Sequence, residues 1–248
     1  MKALVLAGSR GGVDPVAAHA GVRHKALIEI GGATLLARVA DALRGAGYES
    51  VACADHSAVL AEAARLGLPA LPAAAGPSAS VDAALAELGA PLLVTTADHA
   101  LLRPEWVRDF VADAPGDADV AMLLARRGLV EAALPGTRRT WLRFADGDWS
   151  GCNLFLLRTP AAARAVALWR EVEADRKRPW RIVRRLGPGM LLRYLLGRLT
   201  LEAAVARLGE LAGVRAAVVA SRDGLAAVDV DKPSDLDDVL GLLAGKGG

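Results

Sequence analysis

Aromatic residues are scarce in this chain of 248 residues: Phe, Trp and Tyr together make up 4%. Core packing therefore falls to Ala, Leu and Val, because the hydrophobic fraction still reaches 53%, an ordinary globular composition that excludes a disordered or collagen-like chain. Cysteine is scarcer still. Cys53 and Cys152 stand far apart with no CxxC and no flanking His, which excludes a zinc ribbon and a disulfide framework and fits a reducing, cytoplasmic compartment. No charge of one sign dominates. Thirty Lys and Arg oppose 28 Asp and Glu for a formal charge of +2, so the chain as a whole is no polycation built for nucleic acid. Long apolar runs are missing as well: none reaches about 18 residues, and the best candidate, Leu186 to Leu201, is cut by Gly187-Pro188-Gly189, Arg193 and Arg198. The opening Met1-Lys2-Ala3-Leu4-Val5-Leu6-Ala7-Gly8 is too short for a signal peptide and reads as a strand.

What is present is an alternation. Strands are expected at 2–7, 50–54, 69–72, 91–96 and 118–124, and helices at 34–44, 57–65, 80–88 and 104–113. Continuously apolar strands between amphipathic helices predict a mostly parallel sheet covered on both faces, a Rossmann-like three-layer α/β/α architecture. Helix starts agree, with Thr34 before Leu35-Leu36, Ser80 before Val81-Asp82, and Pro104-Glu105 at a first turn. Beyond residue 136 the texture changes to an embellished, helix-rich half. Residues 140–144 and 151–157 read as strands around the turn Asp146-Gly147-Asp148. They are followed by a helix from Thr159-Pro160 to about 178, a helix 200–212, strands 214–220 and 225–230, and a final helix 233–244. No Pro- or Ser-rich linker interrupts the chain. One domain is expected, with a nucleotide-binding half (1–136), an acceptor-binding embellishment (137–213) and a return to the core (214–248).

Between Arg176 and Arg198 lie eight basic residues and no acidic one, interleaved with Trp180, Leu186, Met190, Leu191, Leu192, Tyr194, Leu195 and Leu196. This stretch reads in three ways: a solvated basic face, a surface for an acidic partner or phosphate, or a patch for peripheral contact with an anionic membrane.

The chemistry concentrates in four segments. Leu6-Ala7-Gly8-Ser9-Arg10-Gly11-Gly12 follows the first strand directly, where an open α/β sheet binds nucleotides; its glycines let backbone N–H groups approach an anion, and Arg10 adds a cation. It is neither GxGxxG nor GxxxxGK[ST]. The next segment is His24-Lys25-Ala26-Leu27-Ile28-Glu29-Ile30-Gly31-Gly32-Ala33-Thr34-Leu35-Leu36, which carries one of only five lysines. Then come Gly76-Pro77-Ser78-Ala79-Ser80-Val81 and the apolar strand ending Thr96-Ala97-Asp98-His99. Last is Asp229-Val230-Asp231-Lys232-Pro233-Ser234-Asp235-Leu236.

In this order the segments resemble nucleotidyltransferases of the molybdenum-cofactor guanylyltransferase-like and sugar or alditol cytidylyltransferase type. The resemblance implies a glycosyltransferase-A-like sheet and a metal-dependent transfer of NMP from an NTP, CTP favoured and GTP next. The acceptor would be a phosphorylated small molecule or lipid-linked group, and pyrophosphate would leave. It implies that Leu6, Ala7, Gly8, Ser9, Gly11, Gly12, Gly76, Ser78 and Ser80 hold the nucleotide. Lys25 and Arg10 would neutralise phosphate charge, with Arg23 an alternative to Arg10. Asp98, with Asp229 or Asp231, would hold Mg²⁺ or Mn²⁺, hard ions that take carboxylate and phosphate oxygens together. Alternation along a strand would put Asp229 and Asp231 on one face. Trp141, Arg143, Gly151 and Asn153 fall where acceptor-binding elements are expected. The sequence departs from the family in its longer loop between Gly12 and Lys25, with Val13-Asp14-Pro15 and Ala20-Gly21 inserted and no Arg-Met-Gly. A glycosyltransferase on the same sheet would want a D-x-D where Ala97-Asp98-His99 stands, and a non-catalytic nucleotide binder would have little use for Lys25 and Asp98 together.

Overall fold

Ala3 and Val5 of the first strand, β1 (Lys2–Leu6), point to one face of a sheet and Leu4 to the other, and all three are fully buried. That two-sided burial is what a continuously apolar strand requires, and it repeats through the centre of the sheet. The computed structural model describes residues 1–9, 11–12, 14–174 and 187–244. In chain order the elements after β1 are α1 (Pro15–His19), β2 (Glu29–Ile30), β3 (Ala33–Thr34), α2 (Leu35–Gly45), β4 (Glu49–Ala54), α3 (Ser57–Arg65) and β5 (Ala70–Pro72). Next come α4 (Pro77–Leu88), β6 (Leu92–Thr96), α5 (Pro104–Asp113), β7 (Val120–Arg126), α6 (Arg127–Ala133), β8 (Leu142–Phe144) and β9 (Gly147–Leu157). The last are α7 (Ala162–Ala174), α8 (Pro188–Leu195), α9 (Leu201–Ala212), β10 (Ala216–Ala220) and α10 (Pro233–Ala244).

The main sheet runs β10-β7-β9-β6-β1-β4-β5, with β8 hairpinned onto β9. Every neighbouring pair along β6-β1-β4-β5 is parallel, as is β10-β7; β9 alone runs antiparallel, between β6 and β7. One face packs on α2, α5 and α10 through Leu36, Val39, Leu43, Val107, Phe110, Leu236 and Val239. The other packs on α4 and α7 through Val81, Ala84, Leu85, Ala162 and Val166. The result is a Rossmann-like three-layer α/β/α arrangement. Burying each Leu or Val in these layers contributes about 1.5–3 kcal/mol, which offsets the shortage of aromatic area.

Several local expectations are corrected. The helix expected from residue 80 begins at Pro77, with Gly76 as its cap, so Ser80 lies inside the first turn rather than capping it. The second half of the hairpin is longer than expected: β9 starts at Gly147, pairing with Phe144. The strand expected over 225–230 is a 3₁₀ turn, Gly224–Ala227, followed by extended chain. The cause is a close crossing: a Cβ on Gly224 would lie 2.1 Å from the Leu129 carbonyl, so the backbone rides over α6 instead of joining the sheet. The insertion after Gly12 folds as α1, which Asp14 caps by accepting from the Val16 and Ala17 amides, with Pro15 at the first position. Helix α7 is described to Ala174, and the remainder of its expected span lies outside the described residues. The described residues contain no helix long and apolar enough to cross a membrane.

Candidate active site

β1 and β6 are parallel neighbours, so their carboxyl ends deliver residues 7–9, 11–12 and 97–99 to the same edge of the sheet. The Ala97 amide donates to the Leu6 carbonyl at 2.9 Å, which fixes the spacing between the two loops. A cleft of about 900 Å³ opens there. Leu6, Ala7, Gly8, Ser9, Gly11, Gly12, Lys25, Gly76, Ser80, Asp98 and Asp231 line it, so these expected site residues do meet, and Thr96 lines it with them. Gly8 is required by packing, since a Cβ there would come within 2.9 Å of the Ala73 Cβ. Arg10 lies outside the described residues. Arg23, its alternative, lines the cleft.

Lys25 sits on a 3₁₀ turn, Lys25–Leu27, whose start is capped by the His24 ring accepting from the Ala26 amide. This turn projects the ammonium across to the end of β6. Lys25 Nζ donates to Asp98 Oδ2 at 2.6 Å and to Asp231 Oδ1 at 3.1 Å. Burial pulls the ammonium's pKa down, but Asp98 and then Asp231 outweigh it and push it up to about 12. Lys25 and Asp98 are 20% and 13% exposed, whereas Asp231 is 59% exposed, so the stronger half of this bridge is the Asp98 half. Asp98 is further oriented by the Thr96 hydroxyl, which donates to its other oxygen. The Val230 amide donates to the Asp98 carbonyl at 3.0 Å and ties the C-terminal segment to the end of β6.

The chain through Asp229 and Asp231 is extended but, among the described residues, pairs with no strand of the sheet, and the two carboxylates take different partners. Asp229 turns inward, where Arg139 donates to one oxygen and Asn153 Nδ2 to the other at 2.7 Å. Burial raises the Asp229 pKa, Arg139 opposes it, and the charges of Asp231 and Asp98 raise it further. Asn153 has φ of 48°, an uncommon left-handed conformation for a residue other than glycine within a strand, and this places its amide on Asp229. Asp235 accepts from the Asp231 and Lys232 amides and so fixes the loop, in addition to facing the α10 amino terminus.

Four expected residues stand apart. Ser78 is buried, and its hydroxyl and amide both donate to Glu173 of α7, outside the cleft lining. Trp141 lies under the Arg127 guanidinium at 5.4 Å, and Arg143 is exposed on β8. Gly151 is exposed on β9 opposite Leu124. Ser80 lines the cleft while accepting from the Ala74 amide at 2.9 Å, so it also shapes the loop. His99 is fully buried against Trp106, with ring centroids 6.4 Å apart, and burial lowers its pKa to about 4. It packs against Trp106. Sequence reasoning missed Arg139, Asp55, His56 and Glu173. Asp55 accepts from both the Ser9 amide and hydroxyl at 3.0 Å, and His24 and His56 rings lie 5.6 Å apart on the cleft wall. None of these sits in a motif; each arrives by tertiary contact.

The carboxylates bear on whether a divalent ion fits. Among the described residues no group of three or more His, Cys, Asp or Glu side chains converges tightly enough to enclose a metal ion. Yet Asp98 and Asp231 already converge on a single cation, the Lys25 ammonium, and Asp229 feels both. Hard oxygen donors in that number fit Mg²⁺ or Mn²⁺ completed by phosphate oxygens and water.

A mostly parallel sheet with a glycine-lined cleft, a lysine and clustered carboxylates at its carboxyl edge defines a nucleotidyltransferase. The chain belongs to the MobA-like NTP transferase domain family, which residues 3–189 match. A hypothetical transferase from Thermus thermophilus is 33% identical, with a TM-score of 0.81 over 95% of this chain and 100% of that one. A nucleotidyl transferase from Methanothermobacter thermautotrophicus shares the fold at 20% identity, TM-score 0.56, over 98% of each chain. CTP:phosphocholine cytidylyltransferase from Streptococcus pneumoniae does so at 12% identity, TM-score 0.56, again over 98% of each. CMP:2-keto-3-deoxy-manno-octonic acid synthetase complexed with CTP matches at 17%, TM-score 0.56, over 99% of this chain and 100% of that one. No curated protein sequence matches the chain.

Proposed function

We propose that this nucleotidyltransferase moves an NMP group from an NTP, CTP before GTP, to a phosphorylated acceptor with release of pyrophosphate. The observation that carries the reading is the Lys25 ammonium, held between Asp98 and Asp231 on a glycine-lined cleft. With its pKa at about 12, Lys25 stays charged across the neutral range and acts by electrostatics, not by proton transfer. Loop amides at Gly8, Ser9, Gly11 and Gly12 receive the triphosphate; Ser9 exchanges its Asp55 partner for a phosphate oxygen. An acceptor phosphate oxygen attacks the α-phosphorus in line as the bond to the bridging oxygen breaks, and pyrophosphate leaves with that electron pair. The nucleophile is already an anion, so no general base is needed. Mg²⁺ or Mn²⁺, held by Asp98 with Asp229 or Asp231, would supply charge neutralisation on the triphosphate. The CTP preference rests on the Gly76–Ser80–Val81 match and on two proteins of this fold whose names specify CTP.

Asn153, Gly151, Arg143 and Trp141 would serve the acceptor, with Asn153 nearest the reacting groups through Asp229. A lipid-linked acceptor is favoured by one observation: no residue of α8 is buried, and Leu192, Tyr194, Leu195 and Leu196 are exposed beside Arg193 and Arg198. Residues 175–186 of the basic stretch lie outside the described residues. On this reading the enzyme is cytoplasmic and peripheral at the inner membrane surface. Thermal unfolding with each of the four NTPs and Mg²⁺ tests the nucleotide assignment. The melting temperature should rise most with CTP, and protection by none of the four would overturn the reading.

A further inference from the structure

Arg139 belongs to no sequence motif and no regular element, following α6 in the chain, yet its side chain is only 10% exposed and meets Asp229, itself 13% exposed. Both oxygens of Asp229 are occupied, one by the Arg139 fork and one by Asn153. Both oxygens of Asp98 are occupied as well, by Thr96 and Lys25. Lys25 also takes one oxygen of the exposed Asp231. Three carboxylates thus face two fixed cations. A free divalent ion drawing on both Asp98 and Asp229 must displace a donor already in place, since of the three carboxylates Asp231 alone keeps an oxygen outside these bonds. One arriving on a triphosphate brings oxygens to which the displaced cations can turn. Arg139 has a donor to spare for that, since its Nε is buried without a hydrogen-bond partner.

We infer that Arg139 is the resident counter-cation of the metal cluster: by occupying Asp229 in the nucleotide-free protein it keeps free divalent ions out, so that metal enters with the nucleotide. The inference rests on the reading that Asp98, Asp229 and Asp231 serve a divalent ion. Arg139 is accordingly a positioning residue acting through Asp229. Its removal leaves a buried carboxylate uncompensated, with two more carboxylates close by, and such a site recruits the nearest available cation.

Calorimetric titration of Mn²⁺ into the full chain without nucleotide reads this directly. Wild type should bind weakly and Arg139→Gln on the order of tenfold more tightly, as expected when one positive charge is lost from a low-dielectric cluster. Arg139→Lys should remain near wild type because the charge is kept. The double variant Arg139→Gln, Asp229→Asn should return to weak binding, which locates the gained affinity at Asp229. Unchanged affinity in Arg139→Gln, or a double variant that binds as tightly as the single one, overturns the inference. Should Arg139→Gln fail to fold, Asp229→Asn alone decides: affinity as in wild type supports the inference, and a marked fall shows that Asp229 already binds free metal and overturns it. A wild type that takes up no Mn²⁺ even with each of the four NTPs present overturns the metal reading itself, and this inference with it.

Discussion

Replacing Lys25 by Met removes one charge while keeping most of the side-chain volume, and the structure assigns two separate costs to it. The first is stability. The rise of the Lys25 pKa from the ordinary 10.5 to about 12 corresponds to about 2 kcal/mol of preferential interaction with the folded state. A raised lysine pKa stabilises the fold fully below the unfolded value near 10.5 and loses that contribution as pH climbs through about 12. The whole amount is therefore present at pH 7 and constant across the neutral range. For a chain of this size, about 2 kcal/mol lowers the melting temperature by roughly 4–8 °C. The second cost is to phosphate binding. A charge-assisted hydrogen bond contributes about 1.5–3 kcal/mol, so affinity for Mg²⁺-CTP should fall by roughly 10- to 150-fold. Melting curves at fixed CTP, with calorimetry where protection vanishes, separate the two. A variant that melts lower yet is protected by CTP as well as wild type would refute the phosphate role and leave Lys25 a purely structural clamp on Asp98. One that melts with wild type would refute the electrostatic magnitude.

His99 gives an acid-side test. Its folded pKa of about 4 lies below the ordinary 6.5, so the unfolded chain takes up the proton first and stability is lost as pH falls from 6.5 toward 4. Urea titrations at pH 7 and pH 5 should show His99 alone costing about 2 kcal/mol over that interval, and His99→Phe, which keeps the Trp106 stack, should remove that part of the loss; equal pH dependence in both proteins would refute it. For α8, the full chain should pellet with phosphatidylglycerol vesicles and not with phosphatidylcholine ones. Added salt should weaken the binding, as should Leu192→Ser with Leu195→Ser; no pelleting with either vesicle would return α8 to a solvated face and point to a soluble acceptor.

The sheet was legible because its strands are buried on both sides, which writes them as unbroken runs such as Leu92–Thr96 between amphipathic helices. Caps that act locally, such as Thr34 accepting from the Ala37 amide, were legible for the same reason. The 3₁₀ turn at Gly224–Ala227 was not. Leu225 to Val228 are as buried as any strand, and burial alone produces the apolar pattern. What prevents pairing is the passage of Gly224 over the Leu129 backbone, a long-range contact that no window of sequence contains. The insertion after Gly12 reads as a long loop because α1 has only five residues, too few to show helical periodicity, although Asp14-Pro15 carries a start signal.

The 3₁₀ turn at Gly224–Ala227 bears directly on the site. In a strand, Asp229 and Asp231 would stand two residues apart on one face and act as interchangeable ligands. In the chain leaving the 3₁₀ turn they are not equivalent: Asp229 is buried and Asp231 exposed, and each acquires a different cation. A buried carboxylate needs a fixed partner, because leaving it unpaired costs several kcal/mol. Arg139 meets that requirement from a segment that shows neither motif nor periodicity. The exposed Asp231 needs no such partner, and Lys25 reaches it while remaining on Asp98. Motif spacing could therefore point to Lys25, Asp98 and the Asp229–Asp231 pair, since all four lie at the ends or just beyond short apolar segments. The counter-charges that decide which carboxylate is free when the nucleotide arrives are a consequence of burial, and burial is settled only once the chain has crossed itself.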